Sequence, residues 1–518
     1  MSNLNPTKRT DLHGPVLTFF IVLSSAVGSF LFVWSVTLGA NIYHLRDIFS
    51  GREKANKPRN ENSVPNYTPV EPYPDLDKLK LTRNLRYYAQ LLDLDLEERE
   101  ITTKDGYVLI LHRLIDPNES SESRDEKPPI ILQHGLLLCS GAYLAPGKNS
   151  LPYFFLSQGF DVWMGNNRCG FKPNHADLAG NLMHNEHFWD WDVRHLAFYD
   201  LPCIIDNVLA HKPHHAKVFL VGHSQGCTQT LLLLRNEQLQ EYHEKIEHFF
   251  ALAPAAFPGE LFHERRFIKF IHNKSPRMYK AIFGNCCFLA MLTQLRNLIG
   301  TTRLFSLLLY QIFKYLFGWN IRNCYNHKKV IHVQFLFNAS LVLAKLMSWW
   351  LSDFVEEGFS NQLQPKQAYK DGITADFTPL NTRDDEHPEQ KKQNDDLEKN
   401  MGELDEHKDE KTLFPYKTEW FATEKNSVIP MMVFVGGEDF LVDGLRFATH
   451  MKHYERNFYS EKRNLEVVEV KEYNHLDVIW ALNCIGLIGM PILDKIRGLK
   501  ETAESEAETV KQETLDVA

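Results

Sequence analysis

The sequence lacks several things that would direct it toward particular chemistries. It has eight cysteines (139, 169, 203, 227, 286, 287, 324 and 484) but no CxxC pair and no zinc-finger spacing, so no metal centre is expected. It has no surplus of positive charge: the formal net charge is −9, which disfavours a nucleic-acid partner. Most of that charge is local. Between Thr382 and Thr412 twelve acidic residues face six basic ones, a net of −6, leaving −3 for the rest of the chain. That stretch also lacks bulky apolar residues beyond Leu397, Met401 and Leu404, too few to fold a core, and it reads as a solvated, disordered loop. The even number of cysteines does not imply disulfides in a chain this long; Cys286 and Cys287 could pair with Cys324 only in an oxidising compartment.

A different absence marks the N-terminus. From Gly14 to Ile42 there is no Asp, Glu, Lys, Arg or His. Val16–Leu38 is apolar over a length that can cross a bilayer, which takes about 20 residues. The run is longer than a signal-peptide core and no clean small-x-small cleavage site follows it, so residues 14–42 read as a single-pass membrane anchor. Arg46, Arg52, Lys54, Lys57 and Arg59 after the run outnumber Lys8 and Arg9 before it, which leans toward a cytosolic C-terminal domain.

After a polar linker (residues 43–78), ordered sequence begins near Leu79. Alternating residues around Lys104-Asp105-Gly106 predict a β-hairpin. "PPIILQHG", "GFDVWMGNNRCG", "KVFLVGHSQG", "HFFALAP", "IPMMVFVGGED" and "NLEVVEV" then read as buried strands, several separated by helical segments. Strands alternating with helices predict an α/β fold with a mostly parallel sheet covered on both faces. The alternation fails between Pro254 and Ile429. The apolar runs there, such as Leu304–Trp319, are too short or too polar to span a membrane, and residues 255–428 read as an inserted helical cap. The folded α/β domain then occupies 79–499, and a charged tail occupies 500–518.

Gly222-His223-Ser224-Gln225-Gly226 sits between a strand and a helix, the arrangement of a nucleophile elbow. A serine in a tight turn needs neighbours without Cβ atoms, which the two glycines provide. Serine is a weak nucleophile without a base, and the base needs an orienting carboxylate. Asp439 follows one later strand and His475 the next, in the order Ser, Asp, His. Glu438 and Asp443 are the alternative acids. The charge that develops on the ester carbonyl oxygen requires backbone donors. Those expected are the amides of Gln225, after the nucleophile, and of Leu136, in the His134-Gly135 loop after an early strand.

With these residues in place, the chain resembles the acid lipases, the gastric and lysosomal lipase group of the α/β-hydrolase fold. The resemblance rests on "TKDGYVLILHRL", "ILQHGLL", "DVWMGNNRCG", "FWDWDVRHLAFYDLP", "VFLVGHSQG", "LAPAA", "VFVGGEDFLVD" and "YNHLDVIWA". It implies Ser224 as nucleophile, Asp439 as acid, His475 as base, and Leu136 and Gln225 as oxyanion amides, with no cofactor. The retained anchor and the acidic insertion depart from secreted members and look like yeast membrane-anchored steryl ester hydrolases. That likeness implies steryl ester or another neutral lipid as substrate, at a lipid droplet, endoplasmic reticulum or plasma membrane. A triacylglycerol lipase, an acyltransferase using the same serine, and a catalytically inert lipid-binding protein are the competing expectations.

Overall fold

The computed structural model describes residues 14–51, 67–168, 170–289, 296–338, 341–355, 413–415, 419–421, 428–461 and 463–499. The acidic stretch 382–412, the tail 500–518, residues 1–13 and residues 52–66 of the expected linker lie outside the described residues.

Eight strands form one sheet: β1 (Asp95–Thr102), β2 (Val108–Ile115), β3 (Pro129–Gln133), β4 (Asp161–Gly165), β5 (Val218–His223), β6 (Ile246–Leu252), β7 (Met431–Gly436) and β8 (Leu465–Val470). Their order is β1-β2-β4-β3-β5-β6-β7-β8. The hairpin β1–β2 is antiparallel, as its alternating sequence requires, and β2 joins β4 antiparallel. From β4 to β8 every pairing is parallel. Strands β3, β4 and β5 are buried along their whole length, which explains their unbroken apolar sequences.

Side chains of the central strands alternate between two cores. Ile131, Trp163, Leu220, Phe249 and Val433 face one, while Leu132, Val162, Val221, Phe250 and Phe434 face the other. α2 (Leu151–Ser157) covers the second face through Leu151 and Phe155. α3 (Leu201–Ala210) and α4 (Gln225–Leu234) cover the first.

One buried cation ties the hairpin to this framework. The guanidinium of Arg168, just beyond β4, donates to Asp200 at 2.6 and 2.9 Å and to Asp105 in the hairpin turn at 2.9 Å. It also lies 3.9 Å from the ring centre of Tyr107. Removing one partner of such a buried group leaves the others uncompensated.

Above the sheet's C-terminal edge lie α5 (Arg266–His272), α6 (Pro276–Phe283), α7 (Arg303–Phe317) and α8 (Ala344–Leu351), all within the expected cap. α9 (Gly444–His453) follows β7. Among the described residues no disulfide is formed, so the conditional pairing of Cys286 or Cys287 with Cys324 is absent.

The N-terminal apolar run forms a single unbroken helix, α1 (Pro15–Phe49), long and apolar enough to cross a membrane and longer than the 14–42 expected. It packs against the cap. A Cβ at Gly28 would lie 2.8 Å from the Ile282 Cα, and the Ser29 hydroxyl donates to the Ile282 carbonyl at 3.0 Å.

Candidate active site

Ser224 occupies the one-residue turn between β5 and α4. Its backbone has φ 52° and ψ −114°, a conformation that costs an L-residue on the order of 1–3 kcal/mol. The glycines make the turn possible. A Cβ at Gly226 would lie 2.4 Å from the Gln133 carbonyl oxygen, and one at Gly222 would lie 3.0 Å from the Cys227 nitrogen. The result is a hydroxyl held above the sheet at the N-terminus of α4.

The loops after β7 and β8 bring the other two groups to it. The Ser224 hydroxyl donates to His475 Nε2 at 2.9 Å, and His475 Nδ1 donates to Asp439 Oδ2 at 2.7 Å. Asp439 Oδ1 accepts the amides of Leu441 and Val442 at 3.0 and 3.2 Å, which fixes the carboxylate. The side chains of Asp439 and His475 are almost wholly buried. Both alternative acids are occupied elsewhere. Glu438 pairs with Arg322 at 2.7 Å, and Asp443 caps α9 through the Arg446 amide at 2.9 Å.

The loop after β3 runs directly against the elbow. A Cβ at Gly135 would meet Ser224 Cβ and His223 Nδ1, each at 2.9 Å. Leu136 therefore sits beside Ser224, and Leu137 has φ 63°, a second strained residue in the same few ångströms. His134 holds this loop: its Nε2 accepts the Asn167 amide at 3.1 Å, which leaves Nδ1–H to donate to the Gly135 carbonyl at 2.8 Å. Burial lowers the His134 pKa to about 4, so the ring is neutral near pH 7. On the other side of Ser224, the Gln225 side chain accepts the Trp350 indole N–H at 3.1 Å and ties the elbow to the cap.

Three supporting residues carry no advance signal in the sequence. His223 donates from Nε2 to the His475 carbonyl at 3.1 Å; burial and the neighbouring His475 lower its pKa to about 3. Asp477 accepts from the Asn474 amide and the Asn323 side chain at 2.8 and 2.9 Å, and burial pushes its pKa up to about 7. It shapes the His475 loop and does not touch the ring. Trp319 lies parallel to the His475 imidazole, with planes 8° apart and centres 6.1 Å apart. Its position depends on the C-terminal turn of α7, so no local motif announces it.

Ser224 and His475 open into an apolar cavity. Its walls are almost entirely apolar and come from the cap: Ile268, Phe313, Leu316, Met347 and Leu351 among others. Among the described residues no group of three or more His, Cys, Asp or Glu side chains converges as a metal site would.

The family model described as "alpha/beta hydrolase fold" matches residues 128–481, and "Partial alpha/beta-hydrolase lipase region" matches 85–147. The chain is 32% identical over 454 residues to Sterol esterase 2 of Saccharomyces cerevisiae, covering 85% of this chain and 76% of that protein. It belongs to the acid lipase family of α/β-hydrolases. This acid lipase is also 25% identical over 407 residues to Probable lipase C16A3.12c of Schizosaccharomyces pombe, covering 78% of each chain. Human lysosomal acid lipase/cholesteryl ester hydrolase is 37% identical over a shorter 162 residues, 31% of this chain and 39% of that protein. The acid lipase is therefore a carboxylic ester hydrolase, and its substrates are lipid or other esters.

Proposed function

We propose that this acid lipase is a membrane-anchored serine lipase that hydrolyses steryl esters to free sterol and fatty acid. The observation that carries the proposal is the chain Ser224–His475–Asp439, at 2.9 and 2.7 Å, on the floor of an apolar cavity. In the first step His475 Nε2 takes the Ser224 proton as Oγ attacks the ester carbonyl. The amides of Leu136 and Gln225 stabilise the oxyanion, and Asp439 stabilises the imidazolium. Collapse expels the sterol oxygen, which takes the proton from His475. Water, deprotonated by the same imidazole, then releases the fatty acid from Ser224.

Two observations favour steryl ester. The cavity is lined by hydrocarbon, suited to an apolar alcohol such as a sterol, and the yeast relative covering most of the chain is named a sterol esterase. The lipase domain is taken as 79–499, with the cap at 255–428 and α1 as the membrane element. The test compares steryl oleate with trioleoylglycerol, using wild type and Ser224→Ala. Wild type should prefer the steryl ester, and Ser224→Ala should lose on the order of 10⁴-fold or more in kcat. Full activity in Ser224→Ala would overturn the mechanism, and a triacylglycerol preference would overturn the substrate. Added free sterol should not divert the acyl group into new ester, which separates hydrolysis from acyl transfer.

A further inference from the structure

The helix α1 turns its bulkiest apolar side chains outward. Its face toward the protein mixes the small or polar Ser25, Gly28, Ser29, Gly39, Ala40 and Asp47 with Ile21, Phe32 and Val36. Its outer face carries Phe20, Leu23, Val27, Phe30, Trp34 and Leu38, each close to half exposed or more. A helix of a water-soluble domain does the reverse. The outward face suits hydrocarbon, and the inward face packs on the cap. The inner contacts run the whole length of the helix. Thr18 donates to Glu186 at 3.2 Å near one end, Gly28 and Ser29 pack on Ile282, and Gly39 packs on Tyr315. Near the other end Asp47 meets Lys314 at 2.6 Å, both side chains buried.

From Thr18 to Asp47 the helix advances roughly 43 Å at 1.5 Å per residue. Bilayer hydrocarbon is only about 30 Å thick. A helix crossing the bilayer could touch a domain on one side through its last turns alone, whereas this helix touches the same domain from end to end. It contains no break that would permit a hairpin.

The cap beside α1 has the chemistry of a membrane interface. From Arg265 to Lys280 the sequence has six basic residues and no acidic one, in a chain whose net charge is −9. Phe270 and Met278 within that segment are exposed, and Phe270 stacks on Phe32 of α1, ring centres 6.3 Å apart. Exposed apolar rings among lysines and arginines suit an anionic lipid surface. Phe32 also lines the catalytic cavity, opposite Ile312 and Leu316 of α7.

We propose that α1 lies in the plane of one bilayer leaflet, docked along the cap as a wall of the substrate cavity, so that ester enters laterally from the hydrocarbon. This deepens the lipase reading above and rests on it for the identity of the ester.

The first test needs no activity. The full chain carries an epitope tag at each end and is assembled in sealed microsomes, which are then treated with protease. An in-plane helix leaves both tags on one side, so both are digested or both survive. Digestion of one tag with protection of the other would show a crossing helix and overturn the proposal. The second test separates the wall from a passive tether. Asp47→Lys places two cations together and should loosen α1 from the cap. Hydrolysis of steryl ester in vesicles should fall at least about 10-fold, while a soluble short-chain ester is hydrolysed within about two-fold of wild type. Adding Lys314→Asp should restore the loss. Unchanged rates on both esters, or equal loss on both, would overturn the wall. Absence of Ser224-dependent hydrolysis in wild type would instead sink the hydrolase reading, leaving the tag result to stand or fall by itself.

Discussion

The imidazole of His223 donates a hydrogen bond to the backbone carbonyl of His475, 3.1 Å away, so the residue before the nucleophile holds the loop that carries the base. Burial lowers the His223 pKa to about 3, so near pH 7 the ring is neutral and Nε2 carries its one N–H. Ser224 and His475 are 251 residues apart in sequence, and this bond gives them a second fixed distance besides their own.

His223→Ala should therefore lower kcat by about 10- to 100-fold, because small displacements of reacting groups have effects of that order. KM for a short-chain ester should move little, since His223 supports the base and adds little to cavity volume. Steady-state kinetics on such an ester checks this; a pure KM effect would assign His223 to binding.

The two neighbouring carboxylates at the end of β7 should behave oppositely. Asp439→Asn should lose on the order of 10⁴-fold in kcat, as loss of the orienting carboxylate does in serine hydrolases. Glu438→Gln, which only loosens the pairing with Arg322, should keep activity within about three-fold. Comparable losses in both would return the assignment of the acid to doubt.

Gly135→Ala tests the oxyanion loop. The new methyl would sit 2.9 Å from Ser224 Cβ and from His223 Nδ1, so the loop must move away from the elbow and take the Leu136 amide with it. Loss of one oxyanion donor costs about 10²–10³ in kcat. The drop should appear with a near-native thermal melt, and an unchanged kcat would exclude Leu136 as a donor.

Stability should fall in acid for a reason visible in the core. His134, His223 and His248 have pKa values lowered to about 4, 3 and 3, all by burial. The unfolded chain binds these protons below about pH 6.5 while the folded chain does not, so stability is lost as pH falls from about 6.5 toward 4. Each group contributes up to about 1.4 kcal/mol per pH unit in that window. Asp477, raised to about 7, opposes one of the three over much of the range, because its unfolded form ionises first. Among the described residues His248 has no hydrogen-bond partner at either ring nitrogen, and it stacks on Phe250. His248→Phe should raise Tm at pH 5 by more than at pH 8; an equal shift at both would deny its titration a role.

Much of the site was legible in the chain because its determinants are local. A serine between two glycines at a strand-to-helix junction needs no distant information, and Asp439 and His475 each lie just past a strand, the first almost wholly buried and the second an edge strand interrupted by Glu466 and Glu469. The parallel sheet follows from the same strands. Asp439, favoured over Glu438 and Asp443 by its position after the Gly-Gly turn, is the carboxylate found against His475, while Arg322 and the start of α9 hold the other two. The contacts of His223 and Trp319 could not be read, since His223 reaches a carbonyl 252 residues away and Trp319 meets His475 only through the folded cap; Asp477 likewise depends on Asn323, 154 residues away.

The N-terminal helix marks the boundary most sharply. Residues 14–42 lack charge and are apolar over a length that can cross a bilayer, where only a helix satisfies its backbone, and the run forms the long apolar helix α1. Composition is blind to direction, however. Ser25, Gly28, Ser29, Ala40 and Asp47 fall on one stripe at helical spacing, but whether that stripe meets lipid, another helix or nothing depends on what the rest of the chain brings beside it. Only the folded cap, with Ile282, Tyr315 and Lys314 in line, decided that α1 has an inner face and that Phe32 closes the wall of the cavity.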